Sequence, residues 1–461
     1  MAMQEKETPA HIFRAYDIRG VFGEDFTAEI AEDVGKAFGT HLGLGKKVCL
    51  GKDPRYSGDI IENAFVSGLV NVGCNAVLID MLPIPVLSFL TWKKGYDAGV
   101  YISASHNPPE YNGIRFRSKY GHGYLYSDTN IMAIFWKKKF RKIRPDGIGY
   151  IKKYSREVAL NEYLKYIRKN LDIKRKIRIV LDPGNGSACV AQGLYREVGC
   201  EIRGINTRVD GNFPGRGAEP TERTLEGACK LVMVANADFG IGFDADADRG
   251  IVIDNLGRVV PAEKVAIIIA REMVKVQKEK GKIVAGFDCS MLIEKECAKL
   301  EIEVIRSRVG DIFVANAVKE HHAMIGVEHT GHFFLPMFQY SDDPFTMSLK
   351  LAEILSKTDE KLSQIVDQIP DYPHYSKSFE CADDTKFRVM EEIKIEFGKE
   401  GYSMDLTDGI RILTDDWTVL IRASNTQPLI RLYVQSAAGN LNGLVERFEP
   451  KLAEIINRSR K

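Results

Sequence analysis

Short β-branched runs alternate with helical patterns along this chain, and several of them run straight into clusters of Gly, Asp, Asn or Ser. That alternation constrains the fold more than any other feature, because strands interleaved with helices pack as α/β sheets rather than as a sandwich or a bundle. The predicted strands are Lys47 to Gly51, Ala98 to Ser103, Ile177 to Leu181, Phe239 to Phe243, Ile283 to Phe287 and Met324 to Val327. Loops at the carboxyl ends of such strands are exposed while the strands hold them rigid, so ligand chemistry is expected there. From about Asp408 the pattern changes to three strand-like runs, Ile410 to Leu413, Thr418 to Arg422 and Leu429 to Val434. A long helical stretch from Leu441 to Asn457 follows, the mark of an α+β unit. Upstream, the basic segment Lys137 to Tyr150 and the turn Asn255 to Arg258 punctuate the chain. We read four units, 1–152, 153–255, 256–372 and 373–461. The first three are α/β units with mixed sheets, and the last is α+β.

Composition narrows the function. The 461 residues carry 64 Lys plus Arg against 63 Asp plus Glu, a formal charge of +1, which supplies no whole-molecule field for a duplex or an anionic membrane. Anion recognition must therefore be local. With 44% hydrophobic and 28% charged residues, the mix is that of an ordinary globular chain rather than a disordered or fibrous one. The eight cysteines are scattered with no CxxC pair, so a reducing cytoplasm is expected. The opening residues lack an apolar core, and the apolar stretch Asn75 to Leu90 is broken by Asp80, Pro83 and Pro85. Neither secretion nor membrane spanning is expected.

Four loops concentrate reactive side chains. In Ser103-Ala104-Ser105-His106-Asn107-Pro108-Pro109, a serine on a proline-stiffened loop stands beside an imidazole, an arrangement suited to a nucleophile or phosphoryl carrier; a polar capping turn is the plain alternative. In Asp244-Ala245-Asp246-Ala247-Asp248-Arg249, three carboxylates at alternate positions repel one another unless a hard cation sits among them, which favours Mg²⁺ or Ca²⁺ over zinc. An EF-hand is excluded, since Arg249 and Asn255 occupy the positions of its glycine and bidentate glutamate; a solvated acidic turn is the alternative. In Glu328-His329-Thr330-Gly331-His332, the Thr-Gly pair argues against a helical zinc site, and Glu328 is suited to grip hydroxyl pairs. In Arg422-Ala423-Ser424-Asn425-Thr426-Gln427-Pro428, arginine with hydroxyl, amide and turn donors makes a phosphate nest, against an ordinary turn.

Other signals point less far. The turn Asp182 to Ser187 has Cys189 where a dinucleotide fingerprint needs its third glycine, and Gly45-Lys46-Lys47 lacks the spacing of a phosphate-binding P-loop. The run Trp136 to Arg144 interleaves aromatic and basic residues as nucleic-acid patches do, but reads better as a solvated helix face.

Taken in order, these segments resemble the α-D-phosphohexomutase family, in particular its phosphomannomutase/phosphoglucomutase branch. The likeness begins at Phe13-Arg14-Ala15-Tyr16-Asp17-Ile18-Arg19-Gly20 and continues through Gly51-Lys52-Asp53-Pro54-Arg55-Tyr56-Ser57 and the serine loop. It then takes in Asp210 to Pro214, the three-aspartate loop, Val309-Gly310-Asp311, and the Glu328 and Arg422 loops. The resemblance implies four domains around a central cleft, each supplying one loop. It implies that Ser105 is the phosphorylated serine and that Ser105, Asp244, Asp246 and Asp248 hold Mg²⁺. Glu328, Thr330 and His332 would grip sugar hydroxyls. Arg422, Ser424, Asn425 and Thr426 would bind the phosphate that is not transferred, with Tyr16, Arg19 and Arg249 lining the same cleft. Where the family carries lysine after its Tyr-Asn-Gly-x, this chain has Arg115, which stays charged. An electrostatic or phosphate-contact role is expected for Arg115, with His106 as the acid/base candidate.

The expected activity is interconversion of hexose 1-phosphate and hexose 6-phosphate, of mannose or glucose, with hexose 1,6-bisphosphate as intermediate and activator. A phosphoglucosamine mutase is the alternative within enzymes, and a non-catalytic sugar-phosphate binding protein the alternative outside them. Small sugar phosphates are the expected partners, with no nucleic acid and no membrane; the sequence sets no oligomeric state.

Overall fold

Four sheets follow one another along the chain in a computed structural model that describes residues 10–14, 17–125, 129–277, 281–382, 384–424 and 428–459. In the first sheet, Lys47–Lys52, Asn75–Met81, Ala98–Ile102 and Ile151–Lys153 run parallel, while Asp17–Val21 and Tyr111–Ser118 add an antiparallel pairing at one side. The second places Arg178–Asp182, Glu201–Gly204 and Phe239–Phe243 parallel and adds Gly250–Asp254 and Val259–Val260 antiparallel. The Asn255 to Arg258 turn therefore closes a hairpin inside this sheet. In the third, Lys282–Gly286, Glu303–Ser307 and Ile325–Val327 are parallel and Phe333–Phe334 is antiparallel. The fourth is antiparallel throughout, with helices Lys386–Gly398 and Leu441–Ser459 sharing its core. Three mixed α/β sheets and an α+β domain are thus what the alternation predicts.

The fourth unit also contains a strand, His374–Glu380, and the helix Lys386–Gly398 that the sequence reading had not marked. The strand sends only Tyr375 and Phe379 toward the core. With so few apolar residues, its period of two is invisible against the surrounding polar chain.

Glycines set the closeness of packing behind the three-aspartate loop. In the strand Phe239–Phe243, a Cβ on Gly242 would lie 2.3 Å from Leu225 Cδ2, and one on Gly240 would lie 2.6 Å from Val232 Cγ2. The helix Glu226–Val234 therefore lies directly on the strand, and the loop leaving that strand starts from a fixed point. Its far side is fixed as well. The Ile84 N–H donates to the Asp246 carbonyl at 3.0 Å, and the Gly250 N–H donates to the Gly331 carbonyl at 3.0 Å, joining the first three units around the loop. Among the described residues no helix is long and apolar enough to cross a membrane.

Candidate active site

The serine loop leaves the strand Ala98–Ile102 and is clamped from below by Arg55. Arg55 Nη2 donates to the carbonyls of Ser105 and Asn107, each at 2.7 Å, and Nη1 donates to that of Tyr111 at 2.9 Å. Asp53 holds Arg55 Nε at 3.0 Å and stands 2.7 Å from Ser103 Oγ, which in turn accepts the Ser105 N–H at 2.8 Å. So held, Ser105 adopts φ 51°, the left-handed region that a side chain enters only when its surroundings impose it. Its Oγ lies 3.0 Å from Asp244 Oδ2 and 3.4 Å from His106 Nδ1.

Asp244, Asp246 and Asp248 are all fully buried, and one ligand oxygen from each lies within 4.8 Å of the others. Burial, then the neighbouring Asp248 and Asp246, push the Asp244 carboxyl well above the usual carboxylate range. Asp248 goes the other way: burial would raise it, but Arg115 and His332 hold it well below that range. Arg115 is the cation built into this group. Its Nη1 donates to Asp246 Oδ2 at 2.8 Å and to Asp248 Oδ2, and its Nη2 donates to Asp311 Oδ2 at 2.8 Å. Of the other oxygens, Asp248 Oδ1 faces the His332 ring, while Asp246 Oδ1 is buried without a hydrogen-bond partner. An unpartnered Asp246 oxygen and an Asp244 carboxyl of raised proton affinity show that Arg115 does not neutralise all three carboxylates, so these residues fit a hard divalent cation.

The third unit closes over this group. Glu328, 3% exposed, accepts the Gly310 N–H at 2.7 Å and stands 3.0 Å from His332 Nδ1. His332 Nε2 is 3.3 Å from Asp248 Oδ1. Burial alone would lower His332, but Asp248 and Glu328 outweigh it and hold the ring well above its ordinary value, so it serves as a second cation. Thr330 is exposed, with Oγ1 3.2 Å from His332 Nδ1. Arg249 Nε stands 3.4 Å from His332 Nε2, and Arg19 Nη1 donates to Asn107 Oδ1 at 3.0 Å. Arg249, burial and Arg19 together push the His106 imidazole down to about 2, so the ring is neutral. In the fourth unit, Arg422 Nε donates to Asp408 Oδ2 at 2.7 Å, and the Ser424 carbonyl accepts from buried Lys386 at 2.6 Å.

Ser105, His106, Arg115, the three aspartates, Arg249, Glu328 and His332 thus lie together. Tyr16, Asn425 and Thr426 lie outside the described residues. Sequence reasoning assigned no role to Asp53, Arg55 or Ser103, although all three stood inside the motifs, and it missed the partnership of Asp311 with Arg115.

Comparison with known families decides the lineage. Four domain models match in chain order: "Phosphoglucomutase/phosphomannomutase, alpha/beta/alpha domain I" at residues 10–142, domain II at 161–257, domain III at 261–372 and the C-terminal domain at 379–447. The chain belongs to the α-D-phosphohexomutase superfamily. It is accordingly an isomerase of the phosphomutase class. Among phosphohexomutases, a phosphoglucomutase/phosphomannomutase of Thermococcus kodakarensis is 33% identical over 92% of this chain and 94% of its own. A phosphoglucosamine mutase of Methanocaldococcus jannaschii is 34% identical over 92% and 94%. A phosphoglucomutase/phosphomannomutase family protein of Burkholderia thailandensis superposes with a TM-score of 0.87, at 24% identity over 98% of both chains, and so shares the phosphohexomutase fold.

Proposed function

We propose that the chain interconverts hexose 1-phosphates and hexose 6-phosphates, of mannose and glucose, through a phosphorylated Ser105 and a hexose 1,6-bisphosphate. The observation that carries this reading is Ser105 Oγ, held 3.0 Å from Asp244 at the edge of a buried group of three carboxylates. Asp244, Asp246, Asp248 and the phosphoryl oxygens on Ser105 would hold Mg²⁺, which supplies positive charge to the group being transferred. In the first half-reaction the Ser105 Oγ–P bond breaks, a P–O bond to the free sugar hydroxyl forms, and that hydroxyl loses its proton. After the bisphosphate turns end for end, the other phosphoryl group returns to Ser105 and the proton is restored.

The side chains divide this work by charge. Arg115 stays cationic and carries no proton, so it fixes Asp246 and Asp248. His106 is the neutral group at hand to take the hydroxyl proton, and a phosphoryl group on the adjacent serine would strengthen its basicity. Glu328, Thr330 and His332 receive sugar hydroxyls. Arg422 and Ser424, with Asn425 and Thr426, bind the phosphate that stays, and Tyr16, Arg19 and Arg249 line the cleft. On this reading the partners are sugar phosphates and the compartment is the cytoplasm, in keeping with eight unpaired cysteines.

Glucosamine phosphate is a second reading, favoured by one observation besides a relative's name. Asp288 Oδ1 is buried without a hydrogen-bond partner, and burial followed by the nearby Glu328 raises its carboxyl to about 6. An amino sugar would bring such a carboxyl a cationic donor. A coupled assay across mannose, glucose and glucosamine 1-phosphates, on enzyme charged with hexose 1,6-bisphosphate, separates the readings. Turnover of the first two with phosphate on Ser105 is expected. A wide preference for glucosamine 1-phosphate overturns the sugar assignment, and no turnover with no phosphate on Ser105 overturns the mutase.

A further inference from the structure

One turn touches all three parts of the site. The Val309 N–H donates to Asp408 Oδ2 at 3.0 Å, and the same oxygen accepts Arg422 Nε at 2.7 Å. The next N–H, of Gly310, donates to Glu328 Oε1 at 2.7 Å. The next residue, Asp311, accepts Arg115 Nη2 at 2.8 Å and has Arg117 Nη1 3.6 Å away. Arg115 spends its other amino group on Asp246 and Asp248. Three successive residues thus reach the phosphate-binding arginine, the sugar-gripping glutamate and the counter-cation of the carboxylate group.

The turn is stiff enough to transmit a displacement. Gly310 has φ 133°, outside what side-chain-bearing residues adopt, and Asp311 opens the helix Asp311–Glu320, whose Ile312, Val314, Ala315 and Val318 are buried. Asp311 is itself 5% exposed. A movement of Asp408 with the fourth unit acts on the Val309 peptide, two residues from the carboxylate that fixes Arg115.

Resting on the phosphoserine reading above, we infer that Val309, Gly310 and Asp311 form a positioning junction. It couples engagement of the non-transferred phosphate at Arg422 to the geometry around Ser105, with Asp408 and Asp311 as its two positioning residues. A retained phosphate then aligns the serine centre in either orientation of the bisphosphate.

The test uses Asp408→Asn and Asp311→Asn, both isosteric, singly and together in the full chain, with unfolding midpoints to register any loss of fold. Wild-type protein is first charged with hexose 1,6-bisphosphate, and the phosphate on Ser105 is counted by intact mass. No incorporation there overturns the phosphoserine reading and this inference with it. On charged enzyme, discharge to saturating hexose 6-phosphate is followed in single turnovers. Asp408→Asn is expected to slow saturated discharge about tenfold, and the double variant to fall no further than the slower single one. A raised KM with unchanged saturated discharge, or effects that simply multiply, would reduce the turn to a structural brace and overturn the inference. If Asp311→Asn does not fold, the split between KM and saturated discharge in Asp408→Asn, with recovery in Asp408→Glu, decides alone.

Discussion

The first three units and the fourth are held in place by different physics. One apolar core runs from Phe89 in the first unit through Tyr163, Ile179 and Phe243 in the second to Val265 and Phe345 in the third. Buried polar bonds sit inside it: the Tyr163 hydroxyl donates to Asp343 at 2.6 Å, and the Tyr195 and Ser348 hydroxyls lie 2.7 Å apart. The fourth unit keeps a core of its own and meets the third through polar contacts. Gln435 Oε1 accepts Ser290 Oγ at 2.9 Å and the Met291 N–H at 3.0 Å, and Arg411 reaches Glu294 at 3.1 Å. Between these two units lies a cavity of about 500 Å³, walled by Phe287, Leu292, Tyr372, Leu420 and Val434. Apolar burial resists displacement, because any opening exposes surface to water, whereas polar contacts can be exchanged for water. The contrast suits the proposed mutase, in which the charged centre would stay fixed while the unit proposed to bind the other phosphate adjusts to each orientation.

The largest effect belongs to the fixed side. Ser105→Ala should lower mutase turnover by more than about a thousandfold, because it removes the proposed covalent carrier, while calorimetry still registers sugar-phosphate binding. Near-normal turnover would break the assignment. Next comes the shared core. Phe345 is 1% exposed and stacks on Phe243 with ring centres 4.9 Å apart, so Phe345→Ala should cost about 3–5 kcal/mol in urea unfolding, followed as one transition for the first three units. Separate transitions for the second and third units would show that the core does not bind them into one body. A smaller effect is expected across the polar boundary: Gln435→Ala should cost about 1 kcal/mol or less and act mainly on KM. A large fall in kcat with unchanged KM would mean that the fourth unit is as rigidly docked as the others.

What the sequence disclosed follows from the range over which its signals act. The strands Phe239–Phe243 and Ile410–Leu413 were legible because apolar runs bounded by turn residues are local patterns. Ser105 and the three aspartates were legible because each set of reactive groups sits in one short segment. Arg115 was noticed only as a departure from lysine. Its work depends on partners 131, 133 and 196 residues away, and no spacing rule reaches that far. Asp408 was read merely as the point where the pattern changes, and nothing beside it in the chain points to Val309. Asp53 and Arg55 were in view as a motif, yet their clamp on the serine loop needs the parallel pairing of strands Lys47–Lys52 and Ala98–Ile102 to be seen.

The smallest predicted effect lies at the edge between the two regions, where His329 caps the cavity beside Glu263 at 2.9 Å. The bond to Glu263 raises the His329 ring from 6.5 to about 9, with Asp288 adding to the pull. Burial would raise Glu263, yet His329 and the Ser290 N–H bring it down from 4.5 to about 2. A ring whose folded value lies above its unfolded one stabilises fully below 6.5 and loses that contribution as pH rises through about 9. The carboxylate stabilises above 4.5 and loses its share as pH falls toward about 2. Because the ring is 60% exposed, solvent screening holds the pair to less than about 1 kcal/mol. Thermal midpoints of the wild-type chain and His329→Gln should therefore differ slightly near pH 6 and converge near pH 10. A difference that persists unchanged at the higher pH would assign His329 to packing rather than charge, and would place the third unit's side of the boundary among the apolar contacts.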